Sequence, residues 1–332
     1  MAEAIVGRFN YTSGRTERSI VSTGRVGIRR DETGSDSGAF GLHPGVQVAL
    51  PVTDARQAGA TLDVEGCELL QHAWQHIDYY DEQAVLHSYY PECCELVKRH
   101  TGAACVLAFD HNIRCRSKSK AGVRLNGGNL VQGPAAGVHA DYTVTSAPNR
   151  VRNLAKPLGI NDTLRGVYGA GPVLDASEVE SKLLRGRFAF INVWRSIADT
   201  PVCKTPLGVC AARSVPLEDI VTFEIQYADR TGENYLLRHS DSHRWLYFPK
   251  MVKDEVVLLK CWDSGGEDFA AHHDQPPVSR STFCFHSAFE DESDPQDAPD
   301  RESIEVRTVV FYDAEPSTIG GGAAADTTRP RL

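Results

Sequence analysis

From Phe188 to Tyr312 the chain is a succession of short strand-like runs, and this pattern constrains the fold more than any other feature. Phe188-Ala-Phe-Ile-Asn-Val-Trp194 is almost wholly apolar, and Ile220-Val-Thr-Phe-Glu-Ile-Gln-Tyr227 alternates with period two. Asp229-Arg-Thr-Gly232 reads as a turn, followed by Asn234–Leu237, Trp245–Phe248, Glu255–Lys260 and finally Ser303–Tyr312. Many short strands at modest spacing suggest a sandwich or barrel.

The chain before Phe188 has a different character. Its first 60 residues are rich in Gly, Ser, Thr and Arg, and read as an extended, partly irregular arm with β-like pieces such as Val46–Pro51. Leu69, Leu70, Ala73, Trp74 and Ile77 recur at helical spacing from about Glu65, which predicts a helix. A second helix is expected from about Pro91, a first-turn position, to just before Gly102. Ala103–Phe109 reads as a buried strand, and Arg116 to Gly137 as a basic, Gly-rich loop. Helical pieces are expected within 146–187, one of them from Ala176 with Asp175 as its cap. Helices before and strands after indicate an α+β fold, mainly β, with a helical buttress. We therefore divide 1–318, one domain, into an arm (1–60), a helical segment (61–102) and a β core (103–312) with a helical insert (146–187). Residues 319–332, low in complexity, read as a disordered tail.

Composition excludes more than it assigns. The net charge of -9 argues against nucleic-acid binding, and no apolar run approaches the length of a membrane span. Nine cysteines in an odd, irregular set, without a Cys-x-x-Cys pair, argue against a disulfide framework or structural zinc and for free thiols in the cytoplasm. No secretory signal is visible at the N-terminus. A homodimer is the default on base rates.

The candidate chemistry lies in His-x-Asp. On a strand, residues i and i+2 face one side, so a His and an Asp at that spacing can share a metal ion. With a distant third ligand they form the two-His-one-carboxylate face of non-haem Fe(II) sites, which leaves positions open for co-substrate and dioxygen. The pattern occurs four times: His76/Asp78, His139/Asp141, His239/Asp241 and His272/Asp274. The first falls on the expected helix, where positions i and i+2 point about 200° apart. The last has only His286 after it, too close for intervening strands. His239/Asp241 lies in the polar stretch Arg238-His-Ser-Asp-Ser-His243 and survives as a minor alternative. His139/Asp141 sits in a β-like stretch with several strands still to come, and suits best, with His243 or His286 as third ligand. Near the last strand, Arg301, Ser303, Glu305 and Arg307 share parity. Either arginine could pair with a carboxylate of a co-substrate, or all four could form an exposed Arg–Glu ladder.

These pieces occur in order with others: Phe109-Asp-His-Asn-Ile-Arg114, Val138-His-Ala-Asp-Tyr-Thr143, Asn192-Val-Trp-Arg195, His243-Arg-Trp-Leu-Tyr-Phe-Pro-Lys-Met251, Trp262-Asp-Ser264, His286-Ser-Ala-Phe289 and Arg301-Glu-Ser-Ile-Glu-Val-Arg307. Together they resemble the Fe(II)/2-oxoglutarate-dependent oxygenase-like family of bacterial cephamycin 7α-methoxylation proteins and fungal hydroxylase/desaturases, which includes the endoperoxide-forming enzyme of novofumigatonin biosynthesis. The resemblance covers some two-thirds of the chain.

The resemblance implies a double-stranded β-helix (jelly roll) that holds Fe(II) and 2-oxoglutarate and uses dioxygen. It implies His139, Asp141 and His286 as iron ligands and Arg301 as the arginine of an Arg-x-Ser motif, with Ser303, that binds 2-oxoglutarate. The His286-to-Arg301 gap is longer than in many plant members of the wider superfamily, so Arg307 competes with Arg301 for that role. Tyr142, Trp194, Arg195, His243 and Trp245 are candidate substrate contacts, each weighed against a purely structural role. Oxidation of a small-molecule natural product is the implied activity. A non-catalytic jelly-roll partner of a tailoring methyltransferase and a metal-dependent hydrolase or isomerase are the alternatives.

Overall fold

The computed structural model describes residues 5–31, 36–75, 77–125, 130–159, 162–227, 230–272, 276–291, 293–295, 297–317 and 319–320. His76, Asp229, Asp274 and most of the expected tail lie outside them. Sixteen strands follow in chain order: β1 (Ile5–Tyr11), β2 (Gly27–Arg30), β3 (Asp36–Phe40), β4 (Val46–Asp54), β5 (Cys67–Gln71), β6 (Cys105–Arg114), β7 (His139–Ala140), β8 (Phe188–Ser196), β9 (Leu207–Cys210), β10 (Ile220–Gln226), β11 (Thr231–Leu237), β12 (Trp245–Tyr247), β13 (Glu255–Asp263), β14 (Phe285–Ala288), β15 (Glu290–Asp291) and β16 (Ser303–Phe311). They form an eleven-stranded sheet, β15-β1-β4-β12-β9-β14-β7-β11-β10-β2-β3, and a five-stranded sheet, β5-β13-β8-β16-β6. This is the expected mainly-β jelly roll.

In the small sheet β8, β13 and most of β16 are buried throughout, as strands covered on both faces must be. One face meets the large sheet. The other meets the helix Tyr90–Thr101, where the Tyr90 hydroxyl lies 2.9 Å from His111 Nδ1 and the Ala108 N–H donates to Cys94 Sγ. This helix starts with Pro91 in its first turn and stops at Gly102, whose φ of 69° gives the left-handed C-cap, as its sequence predicts. Asp175 caps the piece starting at Ala176 by accepting from the Ser177 N–H.

Two expectations are corrected. The helix from Glu65 is absent: Cys67–Gln71 instead pairs antiparallel with β13, from Cys67↔Leu259 to Gln71↔Glu255. The edge of a sheet needing a partner outweighs a weak helical periodicity. Only the latter half of 61–102 is helical. The N-terminal 60 residues are not an arm, because β1 and β4 form a seven-pair ladder within the large sheet and β2 pairs with β10.

Backbone bridges Asn10↔Gly137 and Thr12↔Arg238 bring β1 against the chain beside β7 and β11. The large sheet thus curls around a second apolar core containing Phe9, Tyr11, Trp245, Phe285 and Phe289. Gly7 and Gly208 permit that closure: a Cβ on either would lie 2.6 or 2.9 Å from the Phe289 ring.

Candidate metal centre

β7 is two residues long, yet it is held on both sides. It pairs with β11 through Leu236↔His139 and with β14 through His286↔His139. His139 and His286 are therefore direct cross-strand partners, with ring centroids 4.5 Å apart. Strand alternation sends Val138, Ala140 and Phe285 into the second core and leaves the two imidazoles on the opposite face. His139 Nδ1 donates to the Gly137 carbonyl at 2.8 Å and His286 Nδ1 to the Cys284 carbonyl at 3.2 Å. Each ring thereby presents Nε2 toward the cleft, the arrangement that orients metal-binding histidines.

Asp141 completes the group. Its Oδ1 lies 3.6 Å from His139 Nε2, and one donor atom from each of His139, Asp141 and His286 lies within 4.8 Å of the others. This is the only such cluster among the described residues. The other carboxylate oxygen, Oδ2, accepts from Asn192 Nδ2 at 2.9 Å, and Arg307 Nε and Cys261 Sγ lie at 3.5 and 3.7 Å. Burial alone would raise the Asp141 pKa, but Arg307, His286 and His139 outweigh it and hold the carboxyl well below its usual range. Burial and the neighbouring His286 pull His139 down to about 4. For His286 burial also pulls downward, but the Cys284 side chain and the Asp141 carboxylate prevail and raise it to about 9. Two imidazoles that aim Nε2 at the cleft and one ionised carboxylate, with no fourth member of the cluster among the described residues, fit a divalent cation with open positions.

The interior face of the small sheet forms rows beneath this group. Arg307 pairs with Asn192 and Asp110, Glu305 with Trp194 and Asn112, and Ser303 with Ser196 and Arg114. A narrow cleft is lined by the three candidate ligands together with Trp194, Arg301, Arg114, Glu305 and Arg307. The shared parity of Arg301, Ser303, Glu305 and Arg307 is thus real. β16 is a central strand, and Arg301 and Glu305 are only 4% and 7% exposed, so an exposed ladder is ruled out.

The two arginines differ in what they have left to give. Arg307 is occupied: besides Asp141, its Nη1 donates to Asp110 Oδ2 at 2.9 Å, and the Asn112 amide oxygen accepts from Nη1 and Nη2 at 2.7 and 2.9 Å once that amide is turned to face it. Arg301 is tethered only through Nη1, which donates to the Thr205 carbonyl at 2.6 Å, while its Nε is buried without a partner. Its guanidinium lies 5.5 Å from the Trp194 ring centroid. Burial and the neighbouring Arg114 push its pKa down to about 9, which still leaves it charged at neutral pH.

The structure separates the other sequence candidates. Tyr142 stacks on Phe190, centroids 4.1 Å apart, next to the metal cluster, and burial pushes its hydroxyl pKa up so that it stays protonated. Arg195 points to the opposite face of β8, where it donates to the Tyr89 hydroxyl at 3.1 Å and the Lys253 carbonyl at 2.6 Å and meets His72. His243 and Trp245 belong to the second core: His243 Nδ1 and Trp245 Nε1 both reach the Tyr11 hydroxyl, at 3.1 and 2.8 Å. These three therefore hold the fold together instead of lining the cleft. His239/Asp241, the alternative metal pair, lies beside that second core, with Asp241 fully exposed. Arg114, Asn192, Glu305 and Cys261 also face the centre, and none of them was among the expected site residues.

Comparison with known proteins agrees with this geometry. A family model described as "YDMC: Oxidoreductase/YMDC permease-like domain" matches residues 28–169 and 172–311. A protein of the dcmA 3' region of Methylophilus leisingeri is 37% identical over 192 residues, 57% of this chain and 88% of the relative. The alpha-ketoglutarate-dependent dioxygenase phiK of a fungal species is 30% identical over 267 residues, 80% of this chain and 84% of the relative. The hydroxylase/desaturase efuI of Hormonema carpetanum is 28% identical over 315 residues, 89% and 92% of the two chains. The iron and alpha-ketoglutarate-dependent endoperoxidase NvfI shares the fold, with a TM-score of 0.69 at 22% identity over 92% of this chain and 97% of that one. The chain belongs to the oxidoreductase family of Fe(II)/2-oxoglutarate-dependent dioxygenases and hydroxylase/desaturases.

Proposed function

We propose that this protein oxidises a small-molecule natural product, with His139, Asp141 and His286 holding Fe(II) and Arg301, beside Ser303, holding the far carboxylate of 2-oxoglutarate. The observation that carries this is one cleft in which three convergent metal donors face an arginine with a buried, unpartnered Nε. Bound iron, with 2-oxoglutarate and dioxygen, would supply the oxidising power for removing a hydrogen atom from an unactivated carbon. The chain's own contribution is to position and to keep water out. Asn192 and Arg307 fix the Asp141 carboxylate, the backbone carbonyls of Gly137 and Cys284 fix the two imidazoles, and Trp194 walls the cleft beside Arg301. Trp194, which lines the cleft, is the substrate contact we favour among the sequence candidates, and Tyr142, stacked on Phe190 next to Asp141 in the chain, backs the site from the core. Hydroxylation, desaturation and endoperoxide formation are all compatible with this site. Nine free cysteines support a reducing compartment such as the cytoplasm.

The test is anaerobic addition of Fe(II) and then 2-oxoglutarate, followed by the weak visible charge-transfer band. The band is expected in the native protein, absent in His139→Ala and weakened in Arg301→Gln. A folded native protein that binds iron yet shows no band at saturating 2-oxoglutarate would refute the assignment.

A further inference from the structure

We propose that Arg114 and Arg301 act together as a two-guanidinium clamp on the far carboxylate of the co-substrate, so that the site selects dicarboxylic over monocarboxylic 2-oxo acids with two cations. This rests on the co-substrate assignment given under Proposed function and adds Arg114 to it.

Register places the pair. Arg114 ends β6 directly opposite Ser303, and Arg301 stands two residues before Ser303 with the same parity. Both side chains line the cleft that holds His139, Asp141 and His286. Each guanidinium is tethered at one nitrogen, and to a different loop. Arg114 Nη1 donates to the Gly133 carbonyl at 2.9 Å and Arg301 Nη1 to the Thr205 carbonyl at 2.6 Å. A tether at one nitrogen sets a direction and leaves other N–H groups of the fork to donate elsewhere.

Among the described residues neither of these arginines forms an ion pair with a carboxylate, although the Glu305 charge attracts both from a distance. The third arginine of the cleft does: Arg307 is held between Asp141 and Asp110. Glu305, the remaining acid of the cleft, has one oxygen taken by Asn192 Nδ2 at 2.5 Å. Two like charges brought together in a poorly solvated place repel each other, and each lowers the other's tendency to stay there. A carboxylate placed between them removes that repulsion, and its two oxygens, with about four lone-pair sites, accommodate two forks. The opposite end of a 2-oxo acid is then the end left for the metal face.

Isothermal titration of the full-length protein, loaded with Mn(II) as a redox-silent stand-in, separates the possibilities. 2-Oxoglutarate and pyruvate, which lacks the far carboxylate, are each titrated into the native protein, Arg114→Gln, Arg114→Lys and Arg301→Gln. Arg114→Gln is expected to weaken 2-oxoglutarate about 10- to 100-fold, as for loss of a charge-assisted hydrogen bond, and to leave pyruvate unchanged. Arg114→Lys, which keeps the charge but loses the fork, falls between and stands in if the glutamine variant does not fold. Native-like 2-oxoglutarate binding by both Arg114 variants, with binding lost in Arg301→Gln, overturns the clamp and leaves a single anchor. Equal weakening of pyruvate and 2-oxoglutarate also overturns it, since Arg114 would then act only by shaping the cleft. Failure of the native protein to bind 2-oxoglutarate while it binds Mn(II) is distinct from both, and overturns the co-substrate assignment itself.

Discussion

Arg307 Nε lies 3.5 Å from Asp141 Oδ2, on the carboxylate oxygen that also accepts from Asn192, while Asp141 Oδ1 is the oxygen near His139. Arg307 is thus tied to the carboxylate of a candidate metal ligand. Replacing an orienting partner of a metal ligand typically costs about 10- to 100-fold in metal affinity. Arg307→Met is expected to weaken Fe(II) or Mn(II) binding by that factor, measured by competition with a chelator. Arg301→Gln should leave the same measurement within about twofold of native, as only a group outside the ligands' hydrogen-bond network would.

The two histidines titrate in opposite senses, which shapes the pH dependence of the metal-free fold. His139, lowered to about 4, must be neutral in the folded state, so stability rises with pH from about 4 to 6.5. His286, raised to about 9, binds its proton more tightly when folded. Its contribution is complete below 6.5 and is lost as pH rises to about 9. Urea unfolding of the metal-free protein should show a maximum of these two contributions near pH 6.5. Because a metal must displace the His286 proton, metal affinity should instead rise about tenfold per pH unit between pH 7 and 8.5.

Arg195 serves the buttress. Its guanidinium ties β8 to Tyr89, Lys253 and His72, and it is 2% exposed. Arg195→Met should cost about 2–4 kcal/mol in urea unfolding, because buried partners are left unpaired. Metal and 2-oxoglutarate affinities should not change. Native stability combined with a raised KM for the organic substrate would return Arg195 to the binding site.

Trp245 marks the second core. Its indole N–H donates to the Tyr11 hydroxyl and its ring stacks on Phe9, centroids 3.8 Å apart. Trp245→Phe keeps an aromatic ring and removes the donor, so a loss of about 1 kcal/mol is expected, with 2-oxoglutarate turnover intact. A selective fall in turnover without a change in melting temperature would show that this core reaches the chemistry.

The metal face was legible because strand parity is local: His139 and Asp141 share a side whatever the tertiary fold, and the order of motifs pointed to His286. Arg114 and Asn192 were harder, because their role depends on which residue stands opposite, a relation that one strand's sequence does not contain. A signal did exist. Asn192 is the lone polar residue in Phe188–Trp194, and Asp110, Asn112 and Arg114 alternate with apolar or aromatic neighbours. A polar residue that survives on the buried side of a strand must be satisfied there. Arg195, His243 and Trp245 misled for the converse reason, since a motif shared with a family records structural needs as readily as chemical ones. The failed helix at Cys67–Gln71 shows periodicity yielding to a sheet edge.

The pairing of His139 with His286 also bears on how the molecule is assembled. β7 joins β14 and β11, and so stands in the middle of the large sheet, yet it contributes only two residues of ladder. A cation gripped by His139, Asp141 and His286 would rivet that thin seam by tying together segments remote in the chain. Removing the ion would then do more than silence the enzyme, because the sheet would be left to part along a two-residue strand in its interior.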